Sequence, residues 1–308
     1  MLTVVPNYYT AFRCIGGRCR HNCCIGWEIG IDEQALDRYR ARPDWNERFA
    51  PHITADACFI TDDNGRCPFL NAENLCDIQA CDGEHALCEI CREHPRFHNA
   101  LPDRTESGLG LCCEEAARLI LGQTEPMTLC ADGETDTTDE IVRWRDEALR
   151  LLQDRTRTVS ERITALETAF GAAMPPVSPA EWARVLLSLE RLDESWSVWL
   201  TRLRDGWQTA DTAGFDAYMT ARQTEFEQLL VYFVYRHAAN AVDQDTFVAR
   251  LRVAVLGYTV IRALGAVEWT HNGCFSFGQH CDIARAFSAE IEYSDENFDI
   301  LLNILGGT

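Results

Sequence analysis

The 308-residue chain contains no lysine; all 28 of its basic residues are arginine. Against them stand 48 acidic residues, so the net charge is −20. This lack of positive charge excludes nucleic-acid binding as a main role, because phosphate contacts need a basic surface. It serves solubility and favours cationic partners, including lysine-bearing proteins. Long apolar runs are missing as well. The two most apolar stretches, 229–242 and 253–269, carry Arg236 and Arg262 in their interiors, so no membrane span is expected. The opening MLTVVPNYYTAF has no basic segment followed by an apolar one, so no secretory signal is read from it. The expectation is a cytoplasmic protein whose thiols stay reduced. Alternating strand patterns are scarce, and no internal repeat or low-complexity tract is visible.

What the chain has in excess is cysteine. Of fifteen in all, thirteen lie in the first 130 residues. The densest run is Cys14-x4-Cys19-x3-Cys23-Cys24. Cys58, Cys67, Cys76, Cys81, Cys88, Cys91, Cys112, Cys113 and Cys130 follow, and only Cys274 and Cys281 come later. An odd number fits a pure disulfide framework poorly. In a reducing compartment, clustered thiols read as metal ligands or catalytic groups. A chain of this length can bury a sizeable core and does not need disulfides to fold. Adjacent residues point in different directions, so Cys23 and Cys24 are not both expected on one metal. Cys58, Cys81, Cys130, Cys274 and Cys281 read as buried small apolar residues.

The fold class read from the pattern is mainly α: a loop-rich, cysteine-bearing, metal-binding N-terminal region, residues 1–130, packed on a C-terminal helical bundle, residues 139–308. The first region is rich in Cys, Gly, Asn, Asp and Pro. It carries a helix over 32–40 with Asp32 as N-cap, turns at 62–65 and 71–74, a helix over 84–93 ended before Pro95, and a helix over 114–121 closed by Gly122. Residues 131–139 are acidic and threonine-rich and read as a linker. Beyond them, apolar residues recur at helical spacing over 139–153 and 160–173. Ser178 and Pro179 form an N-cap and first helical position for a helix through 181–203, broken near Asp193. The segments 215–242 and 246–265 form the expected core, and two short helices cover 280–290 and 294–306.

The run Phe12-Arg13-Cys14-Ile15-Gly16-Gly17-Arg18-Cys19-Arg20-His21-Asn22-Cys23-Cys24-Ile25-Gly26-Trp27 resembles the opening of the flagellin lysine-N-methylases, the FliB family. Cys67-Pro68-Phe69-Leu70 with Leu75-Cys76-Asp77-Ile78-Gln79 is similar to the same family and to the wider YkgJ-type cysteine-cluster proteins, described as zinc- or iron-chelating. Cys91-x3-Pro95-Arg96, the segment 111–121, the segment 230–236 and the segment 287–297 continue the resemblance over nearly the whole chain. Glu114, His94 and Tyr293-Ser294 depart from the family pattern.

The resemblance implies methyl transfer from S-adenosylmethionine to lysines of flagellin or a similar protein, and a [4Fe-4S] cluster. The matching cysteines are Cys14, Cys19, Cys23, Cys24, Cys67, Cys76, Cys91 and Cys113; Cys88 and Cys112 stand outside the matched set. No G-x-G-x-x-G lies between a strand and a helix, which disfavours a Rossmann-type methyltransferase. A lysine must lose a proton before it attacks a methyl group, so a carboxylate or tyrosine is sought as guide and acceptor, and Glu28, Glu292 and Tyr293 are the candidates. His21, His94 and His98 offer a mixed Cys/His zinc site. The alternative is a zinc- or iron-stapled module that binds a partner without turnover. Total absence of lysine reads first as a codon bias toward arginine, and second as freedom from self-modification by a lysine-modifying enzyme.

Overall fold

A computed structural model describes residues 2–133 and 135–307. The described residues form thirteen α-helices and four short strands, so the protein is mainly α. They divide into two compact units. One is Arg13–Phe97; the other joins the residues up to Phe12 with those from His98 onward. None of the described helices is long and apolar enough to cross a membrane.

The cysteine-rich unit contains three helices, α1 (Glu33–Arg40), α2 (Asp77–Asp82) and α3 (Glu89–Glu93). Asp32 caps two of them. Its carboxylate accepts the Ala35 N–H at 2.9 Å and the Glu89 N–H at 2.7 Å. Burial works against the charge, but these N–H groups hold the carboxyl below its usual range. An aromatic core lies beneath. Tyr39 stacks on Phe49 at 4.5 Å between centroids, and Phe69 meets Phe49 and Phe59 at 5.2 Å. The helix expected over 84–93 is split. Gly83 turns the chain at φ +86°, residues 84–86 make one 3₁₀ turn, and Cys88 is extended as the residue before α3. The turn at 62–65 forms as expected, with Asp62 accepting the N–H groups of Asn64 and Arg66.

The second unit opens on a sheet of order β2-β3-β1-β4, with β1 at Leu2–Pro6, β2 at Arg96–Ala100, β3 at Arg104–Leu109 and β4 at Leu129–Ala131. β1 runs parallel to β3, with Val4 opposite Glu106, and antiparallel to β4, with Val5 opposite Cys130. β3 has no apolar alternation because it is buried on both faces. Its charges are tolerated through pairing. Glu106 receives both terminal nitrogens of Arg145 at 2.5 and 2.7 Å, and neither side chain is exposed.

Ten helices complete this unit: α4 (Glu114–Leu121), α5 (Glu140–Leu152), α6 (Val159–Phe170), α7 (Pro179–Leu187), α8 (Glu194–Gly206), α9 (Thr212–Met219), α10 (Gln223–His237), α11 (Gln244–Asn272), α12 (Phe277–Ile291) and α13 (Asp295–Gly306). Their starts follow the caps in the sequence. Thr158–Glu161, Ser178–Glu181, Asp243–Thr246 and Ser276–Gln279 are reciprocal capping boxes. Asp193 caps α8 at the expected break. The stretch 215–242 is interrupted by a 3₁₀ turn at Thr220–Arg222. α10 and α11 are the core: every residue of 225–237 is buried. They touch closely at Gly257, where an added Cβ would stand 2.7 Å from the Phe233 ring.

Candidate functional site

Six thiols of the cysteine-rich unit share one electrostatic neighbourhood. Cys67 and Cys88 are buried in its core, and Cys24, Cys76 and Cys91 pack against that core. Cys23 is hydrogen-bonded to Cys24, and Cys88 to Cys91. Cys24 senses Cys67 and Cys76; Cys91 senses Cys24 and Cys67. Within each pair the hydrogen bond lowers the titration of one sulfur, Cys23 or Cys88, and raises that of its partner. Burial pushes the Cys67 thiol up to about 11 and raises Cys76. Backbone N–H groups at Phe69, at Ile78 and Gln79, and at Cys91 face Cys67, Cys76 and Cys88 and work the other way.

This donor set suits a soft, sulfur-ligated metal or cluster, whose positive charge would offset the mutual repulsion of several thiolates. The described side chains stand as hydrogen-bonded thiols, and no three His, Cys, Asp or Glu side chains among the described residues are grouped around one metal position. Around the set, Trp27 donates its indole N–H to the Cys23 carbonyl and meets the His94 ring at 5.9 Å. Burial drops His94 to about 4, so it is a neutral packing residue at pH 7.

The expected ligands are distributed unevenly. Cys23, Cys24, Cys67, Cys76 and Cys91 are brought together. Cys14 is exposed, with its sulfur accepting the Gly16 N–H, and Cys19 is half-buried at the end of the turn Gly16–Arg18. Cys113 belongs to the helical unit, as the N-cap residue of α4. Cys88, placed outside the matched set by sequence, joins the six. Its Cys88-x2-Cys91 spacing was the signal for this. The expectation that the remaining cysteines are buried holds for Cys281 only. Cys81, Cys130 and Cys274 are exposed and Cys58 is half-buried, because Cys81 lies on the outer face of a two-turn helix, Cys130 on an edge strand and Cys274 just past a helix cap.

A second constellation lies in the helical unit, where the end of α12 meets α10. The Glu292 side chain is 1% exposed. It accepts the Tyr232 hydroxyl at 2.9 Å, pairs with His237 Nε2, and faces Arg236 Nε at 3.4 Å. Tyr232 in turn accepts the Leu111 N–H at 3.0 Å and an Arg236 N–H at 2.8 Å. Arg236 lies over the Tyr293 ring, 5.0 Å from its centroid. The Tyr293 hydroxyl donates to the Cys112 sulfur. Burial alone would raise the Glu292 carboxyl, but Arg236 and His237 outweigh it and hold it below the carboxylate range. Burial lowers His237, so it is neutral at pH 7, and pushes the Cys112 thiol up to about 12.

Tyr293 is the member of this group that reaches solvent, at 40% exposed. Of the three catalytic candidates, Glu292 and Tyr293 therefore meet. Glu28 belongs to the other unit, where it is exposed and faces Cys58. Tyr232, Arg236, His237 and Cys112 lie outside the site residues expected from sequence. They look like core or spare residues in sequence, because only the packing of α10 against the turn after α12 turns them toward Glu292.

The family described as FliB lysine N-methylase C-terminal domain matches residues 180–307. A lysine-N-methylase of Salmonella typhimurium is 31% identical over 137 residues, covering 40% of this chain and 33% of the relative. A lysine-N-methylase of Salmonella choleraesuis matches over the same length at 31% identity, again covering 33% of the relative. The flagellar biosynthetic protein FliU of Salmonella muenchen is 30% identical over 137 residues, covering 40% of this chain and 79% of FliU. The match thus spans a third of the length of the two lysine-N-methylases. No solved structure matches the chain.

Proposed function

Because the chain belongs to the FliB lysine N-methylase family, we propose that it is a protein-lysine N-methyltransferase using S-adenosylmethionine, with flagellin or a similar lysine-bearing protein as substrate. The observation that carries this reading is the polar group of Tyr232, Arg236, His237, Glu292 and Tyr293, all of them inside the matched segment 180–307. An incoming lysine arrives as an ammonium, which has no lone pair to attack a methyl group. Tyr293 is the exposed member and the one that meets it. The fixed cation of Arg236 behind the ring disfavours a second positive charge, so the ammonium sheds its proton to solvent at this exposed edge and the lysine attacks as the free amine. Glu292 keeps Arg236, Tyr232 and His237 in place and balances the buried guanidinium. The methyl donor supplies the electrophilic carbon.

The six thiols Cys23, Cys24, Cys67, Cys76, Cys88 and Cys91 are the residues that would hold a [4Fe-4S] cluster or, alternatively, zinc; Cys14 and Cys19 are the further ligand candidates in the same unit. Bound there, the group staples loops whose helices are too short to stand alone. The acidic chain, at −20, suits a lysine-bearing partner.

The test uses full-length protein purified and reconstituted without oxygen, a methyl-labelled donor and purified flagellin. Label on flagellin lysines is expected. Absence of transfer to any lysine-bearing flagellin by iron- or zinc-loaded protein would overturn the reading.

A further inference from the structure

We propose that a cleft between the C-terminal ends of α8 and α11 binds an α-amino-acid zwitterion. The cleft has a volume of about 510 Å³ and is lined by Arg202 and Gly206 from α8 and by Val267, Glu268, His271 and Asn272 from the last turns of α11. That volume is in the range of small-molecule sites. It shares no residue with either constellation described above.

Two helices end here. α8 stops at Gly206, and the 29-residue α11 stops at Asn272, closed by Gly273 at φ +70°. Helix C-termini present free carbonyls and the negative end of the dipole, which favour a cation. Yet the residue placed there is an acid. Glu268 lies one turn from the end of α11 and is 5% exposed. An anion at that position opposes the dipole, and such local conflicts mark sites with a task.

The partners of Glu268 leave room. One oxygen accepts an Arg202 N–H at 3.1 Å and the other the Asn272 side-chain N–H at 3.1 Å. Both are longer than tight charge-assisted bonds, and a carboxylate has about four acceptor sites. Arg202 is half-exposed over the Trp199 ring at 5.4 Å, and among the described residues only its one terminal nitrogen is engaged. A ligand carrying an ammonium beside a carboxylate matches this pair: ammonium on Glu268 and the helix carbonyls, carboxylate on the outward edge of Arg202. Val267 and the bare Gly206 form the apolar floor. An added Cβ on Gly206 would stand 2.8 Å from Val267 Cγ1, so this floor is already closed.

The same chemistry is offered by a free amino acid or by the amino-acid end of a larger sulfur nucleoside. Isothermal titration of the full-length protein with L-methionine, S-adenosylhomocysteine, adenosine and 3-(methylthio)propylamine separates these. Methionine or S-adenosylhomocysteine is expected to bind at least tenfold more tightly than adenosine or the amine lacking a carboxylate. Equal affinity for the first two assigns the cleft to free amino acids; much tighter S-adenosylhomocysteine assigns it to the amino-acid end of the nucleoside. Arg202→Gln, at a half-exposed position, keeps the fold and is expected to weaken binding at least tenfold, with Glu268→Gln doing the same. No binding by the wild-type protein, or binding unchanged in Arg202→Gln, would overturn the proposal. Binding is read without turnover, so a failed methyl-transfer assay leaves it standing.

Discussion

The hydroxyl of Tyr232, in the middle of α10, donates to the carboxylate of Glu292, one residue past α12, at 2.9 Å and across 60 positions of sequence. Through it the buried acid is tied to the backbone at Leu111 and to Arg236. The group therefore behaves as one unit, and its members differ in what their loss exposes.

Glu292→Gln removes the charge that balances Arg236 while keeping the shape. An uncompensated buried charge costs about 3–5 kcal/mol, so a marked fall in the unfolding midpoint is expected. Tyr293→Phe removes the hydroxyl that donates to the Cys112 sulfur and keeps the ring over Arg236. It should lower stability by only about 1 kcal/mol, the scale of one hydrogen bond, and lower the rate of methyl transfer by about 10²-fold, the scale of a lost proton-handling group. Circular-dichroism melts and single-turnover rates check both, and a fully active Tyr293→Phe would remove Tyr293 from the mechanism.

Cys88→Ser tests the thiol set. The variant should lose bound iron and sulfide, or zinc, after anaerobic reconstitution, as Cys67→Ser does. Cys130→Ser, on an exposed edge strand, should keep the full metal content. Elemental analysis per chain decides, and equal metal in Cys88→Ser and Cys130→Ser would place Cys88 outside the set.

Glu106 and Arg145 make a fully buried ion pair, with neither side chain exposed. Glu106→Gln alone is expected to cost about 3–5 kcal/mol, because the buried Arg145 keeps only the half-exposed Asp146 carboxylate, at 2.8 Å from its Nε, as a charged partner. The double variant Glu106→Leu with Arg145→Met should recover most of that loss, since a packed apolar pair avoids the desolvation of both ions. Urea midpoints of the three proteins give the comparison.

Stability should fall on acidification from near neutrality. His280 is fully buried, and burial holds it below its ordinary 6.5 despite the opposing pull of Glu225. The unfolded chain therefore takes up a proton near pH 6.5 while the folded one does not, so stability is lost as pH drops from there toward the folded value, by up to about 1.4 kcal/mol per pH unit. Glu225 adds to the loss at lower pH. Burial opposes its charge, but His280 and Arg222 hold it below its ordinary 4.5, so its contribution disappears as pH falls through the folded value. His280→Phe should flatten the dependence between pH 7 and 5, as read from urea midpoints across that range. An unchanged slope would assign the acid sensitivity elsewhere, with His237 the next group to test.

Much of the helical unit was readable because its signals are local. Ser178 with Pro179 and Asp193 stop or start helices through their own side chains, and a cap acts within three residues. The strands were not readable for the opposite reason. β3 is Arg-Thr-Glu-Ser-Gly-Leu, and its burial depends on Arg145, 39 positions away. The split of 84–93 was also hidden, since the extended Cys88 is stabilised by its place beside Cys91 and the Asp32 cap rather than by any breaker between Glu84 and Glu93.

The sequence by itself determined that this protein is mainly helical, lacks a membrane-spanning helix among its described residues, and concentrates its sulfur in one region. These follow from composition and from periodicities of a few residues. Only the tertiary structure decided which cysteines meet, admitting Cys88 and leaving Cys14 exposed, and which side chains surround Glu292. Helical spacing puts Tyr232 and Arg236 on one face of α10, but which other element that face meets is set by packing over tens of residues, where side-chain volume and buried charge have to match at the same time.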